Sequence, residues 1–154
     1  MRIGIIVYSQ TGNTLSVAKR LAESLTAKGH TVNIARVESV SEKNPPTTAS
    51  DLKSAPDVGA YDVVIFASPV HAFTLAPAMK VYLENISSLA GKEVYCFVTQ
   101  HLKWAWLGGN RAVRIITAAC KAKGAGVTKS GIVHWSSQER DEQIGRLVDR
   151  LSDV

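Results

Sequence analysis

The sequence predicts an α/β fold: a three-layer α/β/α doubly wound sandwich on a five-stranded parallel sheet, in one domain over residues 1–154. Three observations point there. Five short apolar runs recur along the chain, each of strand length and rich in β-branched residues. Helical patterns separate them, an alternation that buries parallel strands beneath helices on both faces, with right-handed crossovers. The first run passes through six small or polar residues, 9–14, directly into a helix, the junction from which such domains build ligand sites.

The elements follow in order. Residues 2–8 read as a buried strand through Ile3, Ile5, Ile6 and Val7, and residues 14–28 as an amphipathic helix stopped by Gly29. Residues 31–37 alternate as a second strand. Residues 38–60 hold Pro45, Pro46, Pro56 and Gly59, and read as a long connection with at most a short helix. Residues 62–67 contain Val63, Val64, Ile65 and Phe66, the clearest buried strand. Residues 76–86 are helical, with Pro77 in the first turn, where a missing N–H is no loss. Val94 to Val98 mark a fourth strand over 93–99, followed by a helix over 110–123 that ends near Gly124. A fifth strand spans 127–135. Ile144, Leu147, Val148 and Leu151 give the closing helix, 138–151, its apolar stripe.

Composition narrows the function classes. With 45% hydrophobic and 20% charged residues the chain is ordinary for a soluble domain. No apolar run approaches the ~18–20 residues that span a bilayer, and no signal-peptide layout opens the chain, so a cytoplasmic protein is expected. Cys96 and Cys120 sit in apolar segments and read as buried reduced thiols. The four histidines, His30, His71, His101 and His134, lack ligand spacing, so no metal site is expected, and no Ser-His-Asp arrangement is evident.

The net charge of +5 is unevenly placed. No acidic residue lies between Glu93 and Glu139, an interval that carries Lys103, Arg111, Arg114, Lys121, Lys123 and Lys129. One face of the second half should be basic, suited to an acidic partner or a phosphorylated ligand. No nucleic-acid-binding motif accompanies it.

The residues between the first strand and helix carry the sharpest chemistry. Helix N-termini present unpartnered N–H groups and partial positive charge, which together attract phosphate. Ser9, Thr11 and Thr14 offer hydroxyls, Gln10 and Asn13 amides, and Gly12 permits a left-handed turn or close approach. No Lys or Arg stands in the loop, so neutral donors must carry the anion; the Walker and G-x-G-x-x-G patterns are absent. An ordinary capped turn would need only one of Ser9, Thr11 or Asn13.

Ser9, Thr11, Gly12, Asn13 and Thr14 closely resemble the phosphate loop of the flavodoxins, Ser/Thr-x-Thr-Gly-Asn-Thr, which in that family wraps the 5′-phosphate of FMN. The resemblance implies strand order 2-1-3-4-5 and an FMN cofactor at the carboxyl ends of the strands. It implies two further loops. Ser68, Pro69, Val70, His71, Ala72 and Phe73 resemble the loop that runs beside the isoalloxazine ring, with His71 or Phe73 as an aromatic wall; Phe73 could instead pack on the following helix. Gln100, His101, Trp104, Trp106, Gly108 and Gly109 occupy the loop that in flavodoxins brings an aromatic onto the outer flavin face. Here two tryptophans replace the usual tyrosine. No acid is present, and Lys103 and Arg111 are of opposite sign to the usual acidic surround.

The resemblance thus implies an electron-transfer protein, monomeric or a weak homodimer, shuttling electrons between a reductase and a redox partner protein, with no catalytic side chain in the acid–base sense. The alternative is an NAD(P)H-dependent FMN- or quinone-type oxidoreductase of the same fold, its basic rim holding a pyridine-nucleotide phosphate. Non-redox relatives of this architecture fit poorly. Tyr8 and Ser9 stand where a receiver domain needs acids, and there is no Cys-Arg anion loop.

Overall fold

The structure, a computed structural model, describes residues 1–41, 43–101 and 108–154. Five strands form the parallel sheet: β1 (Arg2–Val7), β2 (Thr31–Arg36), β5 (Val63–His71), β7 (Glu93–Gln100) and β8 (Val127–His134). Their order is β2-β1-β5-β7-β8, which is 2-1-3-4-5 when only these five are counted. Helices α1 (Asn13–Ala27), α2 (Pro77–Asn85), α3 (Gly109–Ala122) and α4 (Arg140–Leu151) complete the three layers.

Side-chain alternation along the strands divides the core in two. Ile3, Ile5 and Val7 of β1, with Val63, Ile65 and Ala67 of β5, pack under Val17, Leu21 and Leu25 of α1 and Ile144 and Leu147 of α4. The intervening residues, Ile6, Val64, Phe66, Cys96 and Val98, face Met79 and Tyr82 of α2 and Ile116 and Cys120 of α3. Both faces being buried explains why β1, β5 and β7 read as continuous apolar runs, while the edge strands β2 and β8 do not. Cys96 and Cys120 are buried free thiols, and loss of solvation pushes both up to about 12.

Two regions differ from the sequence expectation. The 38–60 connection contains a short 3₁₀ turn (Ala49–Asp51) and also an antiparallel ribbon, β3 (Glu38–Ser39) with β4 (Leu52–Ser54). The segment 68–74, expected to be a loop, is largely strand: β5 continues to His71 and turns back into β6 (Thr74–Leu75), with His71 opposite Thr74. Pro69 is accommodated because β1 has ended. The β1–β5 register stops at Val7 opposite Ala67, while β5 remains paired to β7 as far as Pro69 opposite Thr99.

Candidate functional site

The carboxyl ends of β1, β5 and β7 meet at one edge of the sheet, where strand order reverses and connections leave in opposite directions. Tyr8, at the end of β1, is held by its N–H donating to the Ala67 carbonyl at 3.0 Å. The chain then turns through Ser9, Gln10 and Thr11 to Gly12, the N-cap of α1, which is left-handed at φ +92° and offers no side-chain cap. Ser9 takes over part of that work from below: its buried Oγ accepts from the N–H groups of Gly12 (3.2 Å) and Leu15 (3.3 Å). The N–H groups of Thr11, Asn13 and Thr14 meet no acceptor among the described residues. No acidic residue stands in the first turn of α1, and a Cβ at Gly12 would meet nothing within 4 Å. These are the conditions for holding an anion: converging donors, a favourable dipole and open space.

The side chains are deployed unequally. Gln10 and Thr11 are exposed and Asn13 is half-buried, so they border the opening. Thr14 is buried, and its hydroxyl shares a 2.8 Å hydrogen bond with that of Thr99 on β7, tying the start of α1 to the neighbouring strand end. One residue escaped the sequence reading. Arg36, at the end of β2, donates from Nη2 to the Ser9 carbonyl at 3.3 Å, bringing a guanidinium beside a loop that has no cation of its own. Parallel pairing put it there, with Val7 opposite Arg36. A Lys or Arg at the last position of the second strand was the available signal.

The second group forms a hairpin. Ala72 and Phe73 are its two tip residues, both left-handed at φ +48° and +63°. Such two-residue turns favour Asn-Gly; for residues with larger side chains each left-handed position costs about 1–2 kcal/mol. The strained turn keeps Phe73 57% exposed, so this ring is not part of the core under α2. His71 is half-buried with its ring edge against Tyr8, centroids 6.1 Å apart, and burial lowers its pKa, favouring the neutral imidazole. Ser68 is fully buried and donates to the Pro69 carbonyl at 3.0 Å.

In the third group Gln100 is buried and His101 exposed, their carbonyls accepting from Trp135 (2.7 Å) and Ser136 (3.1 Å). Gly108 is the left-handed N-cap of α3 at φ +118°. A Cβ there would lie 2.7 Å from the backbone of Phe73 and from the Val70 side chain, so α3 starts directly against the hairpin. Gly109 is packed as closely against Gln100 and Ile132. Trp104, Trp106 and Lys103 lie outside the described residues. Val70 therefore joins the site as the contact between hairpin and helix.

Two recesses adjoin Tyr8, Gln10 and Ser39, which line both. One, about 380 Å³, is bordered by Arg36 and Lys53, with Glu38 paired to Lys53 at 3.9 Å; the other, about 270 Å³, is bordered by His71, Ala72, Pro46 and Pro77. The arrangement thus joins a helix start with open N–H groups to a more apolar slot beside a strained hairpin. No group of three or more metal-ligating side chains occurs among the described residues, and no described helix is long and apolar enough to cross a membrane.

Comparison with known proteins bears on this geometry. The profile of the flavodoxin domain matches residues 4–103, which include the α1 start, the hairpin and the end of β7. The chain belongs to the flavodoxin-domain family. Solved flavodoxins share its fold at low identity. Oxidised flavodoxin 1 from Bacillus cereus is 18% identical, with 97% of this chain and 94% of that one covered at a TM-score of 0.71. Flavodoxin 2 from Bacillus cereus is 22% identical, with 99% of each chain covered and a TM-score of 0.68. A mutant flavodoxin from Fusobacterium nucleatum, bound to flavin mononucleotide, is 16% identical over 98% of this chain and 93% of that one, with a TM-score of 0.65. No protein of curated function matches the sequence.

Proposed function

We propose that this flavodoxin-domain protein binds FMN and serves as a cytoplasmic electron carrier between a reductase and a redox partner. The observation that carries the reading is the Gly12-started helix, whose open N–H groups at Thr11, Asn13 and Thr14 suit a terminal phosphate. Ser9 holds that loop in shape, and Arg36 adds positive charge beneath it. In this reading the hairpin of Val70, His71, Ala72 and Phe73 would border the flat aromatic ring, with the β7 end at Gln100 behind it; the recess beside His71 and Ala72 supports this. FMN, when bound, supplies the one- or two-electron chemistry; the chain's part is to bind, orient and shield it.

His71 has a definite electrostatic role in this reading. Held neutral by burial, it adds no positive charge beside the ring at neutral pH and can offer one ring N–H as a donor. The hydrogen bond between Thr14 and Thr99 braces the start of α1 against the end of β7, which keeps the loop and that strand end in fixed separation. In this reading none of the described side chains has to act as a nucleophile or as an acid–base catalyst.

Adding FMN to the purified protein and following the quenching of flavin fluorescence tests the reading. Saturable quenching at one flavin per chain is expected, weakened by Gly12→Ala. Flavin fluorescence unchanged at micromolar protein would overturn it. Dithionite and NADPH then separate carrier from oxidoreductase. Bleaching by dithionite with no response to NADPH is expected, whereas rapid bleaching by NADPH alone supports the enzyme.

A further inference from the structure

β8 is an edge strand of the sheet, and its open side is managed in an uneven way. Toward β7 the odd-numbered residues bond inward, continued by the Trp135 N–H donating to the Gln100 carbonyl. The even-numbered residues therefore turn their N–H and C=O groups outward. Two of these are covered by side chains of α4. The Gln143 Oε1 accepts from the His134 N–H at 2.9 Å, and Arg150 donates to the Ser130 carbonyl. Between them stands Ile132, whose outward backbone groups no α4 side chain covers. On α4 the residue between Gln143 and Arg150 on the same face is Arg146, one turn from each. It forms no ion pair or hydrogen bond with a described residue.

Ile132 lies in the floor of a groove of about 670 Å³, walled by α3 on one side and α4 on the other. Val113 and Leu147 give it apolar flanks. Arg114 of α3 faces the arginines of α4 across the opening, and no Asp or Glu borders it. Arg114, like Arg146, has no partner among the described residues. The groove reaches Asn110 and His134 and so ends at the same edge of the sheet as the candidate cofactor site.

We infer that this groove receives an extended acidic segment of a partner protein, added as a short strand beside β8 at Ile132, with its carboxylates between Arg114 and Arg146. Three features select this occupant together. The uncovered main-chain groups call for an extended backbone, the apolar walls suit alternate side chains, and the guanidinium pair suits carboxylates. Capping at Ser130 and His134, with Ile132 open between them, fits a short segment and resists indefinite edge-to-edge pairing. The inference deepens the carrier reading, since it assigns the partner a docking surface that ends at the flavin-side rim.

The test uses the full chain with FMN added and a short peptide of alternating Glu and Val, its Lys-Val counterpart serving as control. Amide shifts are followed by nuclear magnetic resonance. The acidic peptide is expected to shift the amides of residues 130–134 and to bind more weakly as salt rises from about 50 to about 500 mM. Arg114→Glu with Arg146→Glu is expected to weaken it roughly tenfold or more, since two like charges then face the peptide. The same charge change at exposed Lys19 and Arg20 on α1 is expected to alter affinity by less than about twofold at the higher salt. Shifts confined to another surface, equal loss in both variants, or tighter binding of pyrophosphate at the same amides would each overturn the inference. Flavin affinity is read in parallel. Its absence in the parent protein would defeat the FMN reading and leave the peptide result standing.

Discussion

Gly12 and Gly108 occupy equivalent places in the architecture and do opposite things. Each is a left-handed N-cap, at φ +92° and +118°, opening a helix at the carboxyl edge of the sheet. At Gly12 a Cβ would meet nothing within 4 Å; at Gly108 it would run into the Phe73 backbone at 2.7 Å. The first glycine keeps space open in front of a helix N-terminus. The second lets another part of the protein fill it. A glycine in this position therefore marks a ligand site only when its surroundings are open, and α3 spends its N-terminus on holding the hairpin.

The largest expected effect comes from Gly108→Ala. Left-handed strain and overlap with neighbouring backbone add, for a loss of about 3 kcal/mol. Urea midpoints at constant m-value measure it, and a loss below about 1 kcal/mol would show that the hairpin yields easily. Gly12→Ala is the counterpart. It carries the strain without the overlap, so about 1 kcal/mol of stability is expected to go. Flavin affinity, in contrast, should fall at least roughly tenfold, about 1.4 kcal/mol, because the added methyl occupies the space in front of the donors. If both substitutions damaged stability equally and left flavin affinity alone, the contrast between the two glycines would be wrong.

The same contrast explains what could be read from sequence. The loop at residues 9–14 was legible because its geometry is local: an apolar strand, a few small residues and a helix define it without reference to distant chain. The parallel sheet was legible for a related reason, since doubly covered strands are apolar on both faces. The hairpin was not. Pro69 and the polar ends of Ser68 and Thr74 suggest a loop, while what makes the segment a strand is its pairing with Val98 and Thr99, some thirty residues on. The β3–β4 ribbon was hidden by its brevity and by the prolines between its strands. The position of Arg36 beneath Ser9 depends on strand register, and the half-covered edge of β8 on how α4 lies across it. The basic interval was visible in sequence, but α4, which supplies Arg146 and Arg150, lies outside it.

The hairpin tip offers a third way to sharpen the comparison, because its strain is not relieved by glycine. Replacing Ala72-Phe73 by Asn-Gly supplies the residues that such a turn favours, and a gain of about 1 kcal/mol is expected in urea unfolding. The exposed Phe73 ring goes with it, so flavin affinity should fall although stability rises. Stability and affinity rising together would mean that the strained tip serves neither the ring nor the site.

The smallest expected effect is the pH response of His71, and its sign follows from burial. Desolvation lowers its pKa in the folded protein below the ordinary 6.5. As pH falls past that value the unfolded chain takes up a proton before the folded one does. Stability contributed by the neutral ring is therefore complete above about pH 6.5 and is lost as pH falls through the folded value. His71→Asn should flatten that slope in urea midpoints measured between about pH 7 and 5. An unchanged slope would place the titrating group elsewhere. With flavin bound, further shielding of the His71 ring should move the loss to lower pH, whereas the same experiment on His71→Asn should show no such shift. That difference would tie the pH response of this edge to the ligand through His71, while Gly108 only holds the hairpin in place.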